Sequence, residues 1–80
     1  MHKTPIGIPF SEVENLRRKY PEGTRIKLTE PMDDIRPLEA GAEGTVKFVD
    51  DAGQIHVAWD SGRSLALNVE VDAFEIIARP

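Results

Sequence analysis

The stretch Glu43–Val69, EGTVKFVDDAGQIHVAWDSGRSLALNV, constrains the fold more than any other part of the chain. Apolar residues recur at every second position in three segments: Val46 and Phe48; Ile55, Val57 and Trp59; Leu65, Leu67 and Val69. Side chains two apart share one face of a strand, so each segment has one apolar and one mostly polar face. Asp51-Ala52-Gly53 and Asp60-Ser61-Gly62 separate the segments, and each brings a glycine that adopts positive φ without steric cost. The pattern predicts a three-stranded antiparallel meander.

The flanking sequence extends this frame. Thr24–Thr29 alternates with Ile26 and Leu28 inward, and Phe74–Ile77 suits a closing strand after a short helical turn at Glu70–Ala73. Ser11-x-x-Glu14 reads as a capping box that opens a helix over about Glu12–Lys19. Val13, Leu16 and Tyr20 form the helix's apolar face, and Pro21 stops it. Pro5, Gly7 and Pro9 exclude a regular helix before it, while Ile6 and Ile8 suit an extended arm. The order of strand, long loop, meander, helical turn and strand predicts a mainly β fold. It is a five-stranded SH3-like small barrel over residues 21–80, with the N-terminal arm and short helix over 1–20. Ile26, Leu28, Val46, Phe48, Ile55, Val57, Leu65, Leu67, Phe74 and Ile76 are expected inside. Truncating Phe48 or Val57 is therefore expected to cost roughly 2–5 kcal/mol.

Composition narrows what such a domain can do. Eighty residues bury only roughly 60% of the surface of the unfolded chain, and domains of this size lean on disulfides, metals or partner subunits. There are no cysteines, which removes disulfides and thiolate zinc sites. His2 and His56 are too few for a metal cage, so neither metal nor cofactor is expected. Self-association is the remaining support, and a homo-oligomer is expected. No apolar run approaches the ~20 residues of a membrane span, and the first ten residues lack a signal peptide's apolar core. The expected location is cytoplasmic. Net charge is −4 with scattered Lys and Arg, so nucleic acid is not an expected partner.

Binding candidates fall in two places. The connection Glu30–Ala42, which carries Asp34 and Arg36, is long for a domain this small, and Ile35 and Leu38 would pin it to the barrel. The hairpin residues Trp59, Asp60 and Arg63 admit two readings. In one, Trp59 packs at a barrel end, Asp60 accepts turn N–H groups and Arg63 braces the turn. In the other they form a ligand platform, with the indole stacking a base and the guanidinium meeting a phosphate or carboxylate. His56 on the polar face is a further candidate contact. No nucleophile–base pair, paired-carboxylate spacing, phosphate loop or metal motif is present, so catalysis is not expected.

Several segments together resemble a known family: Gly23-Thr24-Arg25-Ile26, Met32-Asp33-Asp34, Gly41-x-x-Gly44-Thr45-Val46, Val49-Asp50-Asp51-x-Gly53-x-Ile55-x-Val57-x-Trp59-Asp60-x-Gly62-Arg63, and Asp72-x-Phe74. The chain is similar over about residues 22–77 to a small domain-of-unknown-function family encoded mainly by phages and mobile elements of Gram-positive bacteria. The resemblance implies a bacterial host cell and brings no established activity. Two functions are expected from residues and resemblance together. The first is a counter-defence protein that sequesters a small nucleotide-type immune signal in an oligomer pocket, using Trp59, Arg63, His56, Asp60, Arg36 and Asp34. The second is an adaptor or inhibitor that engages a host protein.

Overall fold

The computed structural model describes residues 9–32 and 37–80. A helix, α1 (Phe10–Lys19), precedes five strands: β1 (Arg25–Leu28), β2 (Glu43–Val49), β3 (Ile55–Trp59), β4 (Ser64–Leu67) and β5 (Phe74–Ala78). All pair antiparallel in one sheet of order β4-β3-β2-β1-β5. The fold is mainly β, as the alternation predicts. β4 and β5 are the two edges, so strand pairing leaves the sheet open where the barrel expectation supposes closure. The arm residues Ile6 and Ile8, and Asp34, Ile35 and Arg36 of the long loop, lie outside the described residues.

Both hairpins of the meander use the same turn. Gly53 N–H donates to Asp50 O at 2.9 Å and Asp50 N–H to Gln54 O at 3.0 Å; Gly62 N–H donates to Trp59 O at 2.8 Å and Trp59 N–H to Arg63 O at 2.9 Å. Gly53 and Gly62 hold φ at +84° and +97°, the left-handed closing position of a three-residue loop. The first turn sets Val49 opposite Ile55. Further along, Val46 pairs with Val57 but Phe48 with His56, so β2 carries a bulge with Lys47 as its extra residue.

That bulge corrects one expectation. Simple alternation places Phe48 inside; the bulge turns it outward, leaving it 54% exposed, and brings Val49 into the core. The sheet otherwise buries the predicted side chains Ile26, Leu28, Val46, Ile55, Val57 and Leu67, with Leu65, Phe74 and Ile76 partly buried against them. Met32 and Leu38 are buried and pin the ends of the long loop, joined by the Met32 N–H bond to Leu38 O. Gly44 is required by close approach: a Cβ there would stand 2.6 Å from Val57 Cγ1 and 3.0 Å from Trp59 Cε3.

α1 docks Val13 and Tyr20 into this core, with Leu16 packed beside them and Tyr20 against Phe74 at 5.6 Å between ring centroids. Its start differs from the capping-box expectation. The helix begins at Phe10 with Pro9 as its cap residue, and no side chain caps it. Pro9 O accepts from Glu12 and Val13 N–H, which places Ser11 within the first turn rather than before it. Glu14 pairs instead with Arg17 at 3.3 Å. Arg17 also fastens the helix to the sheet through Val49 O at 3.1 Å and Asp51 at 2.9 Å. The short helical turn expected at Glu70–Ala73 is a single hydrogen-bonded turn set slightly earlier, over residues 68–72, closed by Val71 and Asp72 N–H bonds to Asn68 O.

The two sides of β2 and β3 predict opposite responses to truncation. Ile55→Ala removes a fully buried side chain and is expected to cost about 2–5 kcal/mol. Phe48→Ala loses only the contacts of a half-exposed ring, about 1 kcal/mol or less. Thermal or urea unfolding of both variants checks the register, and equal losses would contradict it.

Candidate functional site

Cross-strand partners share a face. The pairings Arg25–Thr45–Ala58–Ser64 and Phe48–His56–Ala66 therefore mark two rows across the side of the sheet turned away from the core. Small side chains fill most of the first row and end the second at Ala66. Larger groups gather at two places, one aromatic and one charged.

The aromatic place is built by the bulge and the first turn. The Phe48 and His56 rings stack with centroids 4.3 Å apart and planes within 10° of parallel. His56 Nε2 meets Asp50 Oδ2 at 2.8 Å, while Asp50 Oδ1 accepts from Ala52 and Gln54 N–H at 2.9 Å each. Partial burial would by itself raise the Asp50 carboxyl. The bonds from His56, Gln54 and Ala52 outweigh it and hold the group below the ordinary carboxylate range. An ionised carboxylate only accepts, so the proton of the bond sits on Nε2 of His56. The turn thus fixes Asp50, Asp50 fixes the imidazole, and the imidazole backs one face of Phe48.

The charged place is centred on Arg25. Its guanidinium forks onto Asp60, Nη1 to Oδ1 at 2.8 Å and Nη2 to Oδ2 at 2.7 Å, and adds Thr45 Oγ1 at 3.0 Å and Glu43 Oε1 at 3.2 Å. The Arg25 hydrogen bonds pull the Asp60 carboxyl below its usual range, and Asp60 in turn raises the guanidinium.

The sequence-derived candidates do not come together on one surface. His56 and Asp60 lie on the outer face. Trp59 lies on the inner one, only 3% exposed, with Nε1 donating to Leu65 O at 3.1 Å. Arg63 is the hydrogen-bonded partner of Trp59 across the turn, and its side chain is partly buried and engaged. Asp34 and Arg36 fall outside the described residues. Sequence reasoning missed Phe48 and Arg25. The signal for Phe48 was the apolar pair Phe48-Val49 beside a turn: once Asp50 pairs with Gln54, Val49 must share the face of Ile55. Arg25 carried no local signal, since its partners Glu43 and Asp60 are remote in sequence.

Among the described residues, no cluster of three His, Asp or Glu side chains could hold a metal ion, and no helix is long and apolar enough to cross a membrane. A family model described as a domain of unknown function (DUF4314) matches residues 10–77. No curated protein and no solved structure matches the chain.

The depressed Asp60 carboxyl sets a pH dependence. A carboxyl held low in the folded state contributes stability that is complete above its unfolded value, about 4, and is lost as pH falls through the folded value. Asp60→Asn should therefore melt below wild type at neutral pH, and the gap should close as pH drops from about 4 towards 2. Thermal unfolding across that range checks it, and a gap unchanged at the acid end would count against the Arg25 pair.

Proposed function

This chain belongs to the DUF4314 family, and we propose that it acts as a non-enzymatic binding module that docks a partner protein on the outer face of its meander. One observation carries the reading. The β2 bulge turns Phe48 outward, where it stands 54% exposed on a His56–Asp50 support, in a row that ends at the small Ala66. An aromatic anchor held in one orientation at low entropic cost is the usual energetic centre of a protein interface. Bulges re-aim side chains at such places. The order of elements supports an SH3-like domain, a fold that hosts many binding roles. The resemblance to phage and mobile-element proteins supports an adaptor or inhibitor of a bacterial host protein.

A second reading, sequestration of a small nucleotide-type signal, is favoured by the same ring: His56 backs one face of Phe48, and an exposed face can stack a base. It is the weaker reading because Arg17 and Arg25, cations that could meet a phosphate, are already bonded to carboxylates.

Two measurements on folded protein separate these readings. With a photo-crosslinking phenylalanine at position 48, host lysate should yield one protein in crosslinks that are much weaker from position 22, which is exposed and off the outer face. Calorimetric titration with cyclic nucleotides and ADP-ribose derivatives should give no heat. Heat with any of them, abolished in Phe48→Ser at unchanged melting temperature, would replace docking by sequestration. Equal crosslinking from 48 and 22 would sink the outer-face assignment.

A further inference from the structure

The edge strand β4 carries none of the usual devices that protect the open margin of a sheet. Its four residues include no charge and no proline, and its pairing with β3 runs without a slip from Ser64 to Leu67. The opposite edge is guarded. β5 holds the charged Glu75, and its pairing with β1 shifts register between Arg25 and Ile26. An unguarded edge is a template for another strand, and among the described residues no strand pairs with it.

The groups that β4 offers are few and defined. Trp59 and Arg63 form a hydrogen-bonded pair, so the alternation of the ladder makes Val57–Leu65 and Ile55–Leu67 hydrogen-bonded pairs too. Ser64 and Ala66 therefore turn their N–H and C=O groups away from β3, towards the open edge. Both ends of this window are closed by the chain itself. Gly62 N–H donates to Trp59 O at 2.8 Å within the second turn. Asn68 N–H donates to Asp72 Oδ2 at 2.9 Å, and Asn68 O accepts from Val71 and Asp72 N–H. Between those ends stand two donors and two acceptors, on Ser64 and Ala66.

This set is complementary to itself. Two antiparallel copies of β4 with Leu65 opposite Leu65 place Ser64 of each against Ala66 of the other. Opposed residues of a hydrogen-bonded pair exchange both bonds, so such a seam closes with four bonds and leaves no group of the window unmet. Ser64 and Ala66 lie on the outer face and are small enough to stand side by side. On the inner face Leu65 is only partly buried, at the margin of the core, and the seam sets the two Leu65 side chains against each other. A chain of 80 residues without cysteine has a small core and no covalent staple, the case in which a partner subunit contributes most.

We propose that β4 pairs with β4 of a second copy, antiparallel about a two-fold axis at Leu65, to give one continuous sheet of ten strands. The same register joins the rows of the outer face. Phe48–His56–Ala66 of one copy runs on into Ser64–Ala58–Thr45–Arg25 of the other, so the aromatic place of each copy lies in line with the charged place of its mate. The two Phe48 rings then share one face, five strand spacings or about 24 Å apart along the sheet. Anything that docks there meets two aromatic anchors related by the axis. The pairing itself stands apart from the nature of any docking partner.

The absence of native cysteine makes the test direct. Leu65→Cys lies opposite itself on the axis, about 4.5 Å away at Cα, and should form disulfide-linked dimers under mild oxidation. Ser64→Cys alone faces Ala66 rather than itself and should crosslink about tenfold more slowly, whereas Ser64→Cys mixed with Ala66→Cys should give the mixed dimer readily. Unsubstituted chain supplies an independent readout. Sedimentation should show a monomer–dimer equilibrium, and exchange at the Ser64 and Ala66 amides should slow as concentration rises, while the Val57 amide, bonded within the chain, stays protected throughout. Ala66→Pro removes only an outward N–H and should weaken dimerisation on the order of tenfold or more. A monomer at every concentration overturns the proposal. So does a dimer in which both amides exchange freely, or Ser64→Cys crosslinking as fast as Leu65→Cys. Protection of both amides in a monomer, unchanged by concentration, would give the edge to the same chain and overturn the second copy.

Discussion

A mismatch of one residue between two paired strands governs the rest of this structure. Gly44 faces Trp59 at one end of the β2–β3 pairing and Val49 faces Ile55 at the other, so five steps along β2 must match four along β3. Both ends are fixed. At the Trp59 end, Val57 and the indole together leave no room for any side chain larger than hydrogen at position 44, and at Val49 the first turn locks the register. The surplus residue has to be absorbed between them, and Lys47 takes it as a bulge. The exposure of Phe48, the burial of Val49 and the stack on His56 all follow from that geometric necessity.

The two turns of the meander are also held alike from outside. Asp51 and Asp60 each follow the first residue of their turn, and each is gripped by an arginine from an element beyond the meander. Arg17 comes from α1 and Arg25 from β1. Exposed ion pairs of this kind add little stability singly. Their value here is positional, since they tie the tips of a locally formed unit to the helix and to the strand that completes the sheet. They also engage two guanidinium groups in internal pairing with carboxylates.

Much of this was legible in the sequence. The alternation in β1 and β3, the two glycine turns, the apolar face of α1 and the role of Leu38 all appear where the pattern puts them. What failed did so for identifiable reasons. A bulge is invisible to a period-two rule, because Phe48 keeps the parity of Val46 in sequence and loses it in space. Ser11 and Glu14 have the spacing of a capping box, yet the extended Pro9 lets the helix begin at Phe10 and moves that pair inside the first turn. The grouping of Trp59 with His56 and Asp60 overlooked the same parity that identified the strand, which sends neighbours on β3 to opposite faces. The Arg25 cluster joins residues from β1, β2 and the second turn, and only the folded sheet brings them together.

The buried indole has a use that its position makes possible. Trp59 is the only tryptophan of the chain, it is shielded from water, and its N–H is held by Leu65 O across the β3–β4 hairpin. Its fluorescence is therefore an intrinsic probe of one defined event, the parting of those two strands, and should shift to the red as water reaches the ring. Because the ring lies on the side of the sheet away from Phe48, a molecule arriving on the outer face can leave that emission almost unaltered while the domain stays intact. The protein carries a built-in optical gauge of its own integrity, on the face opposite the exposed Phe48 ring.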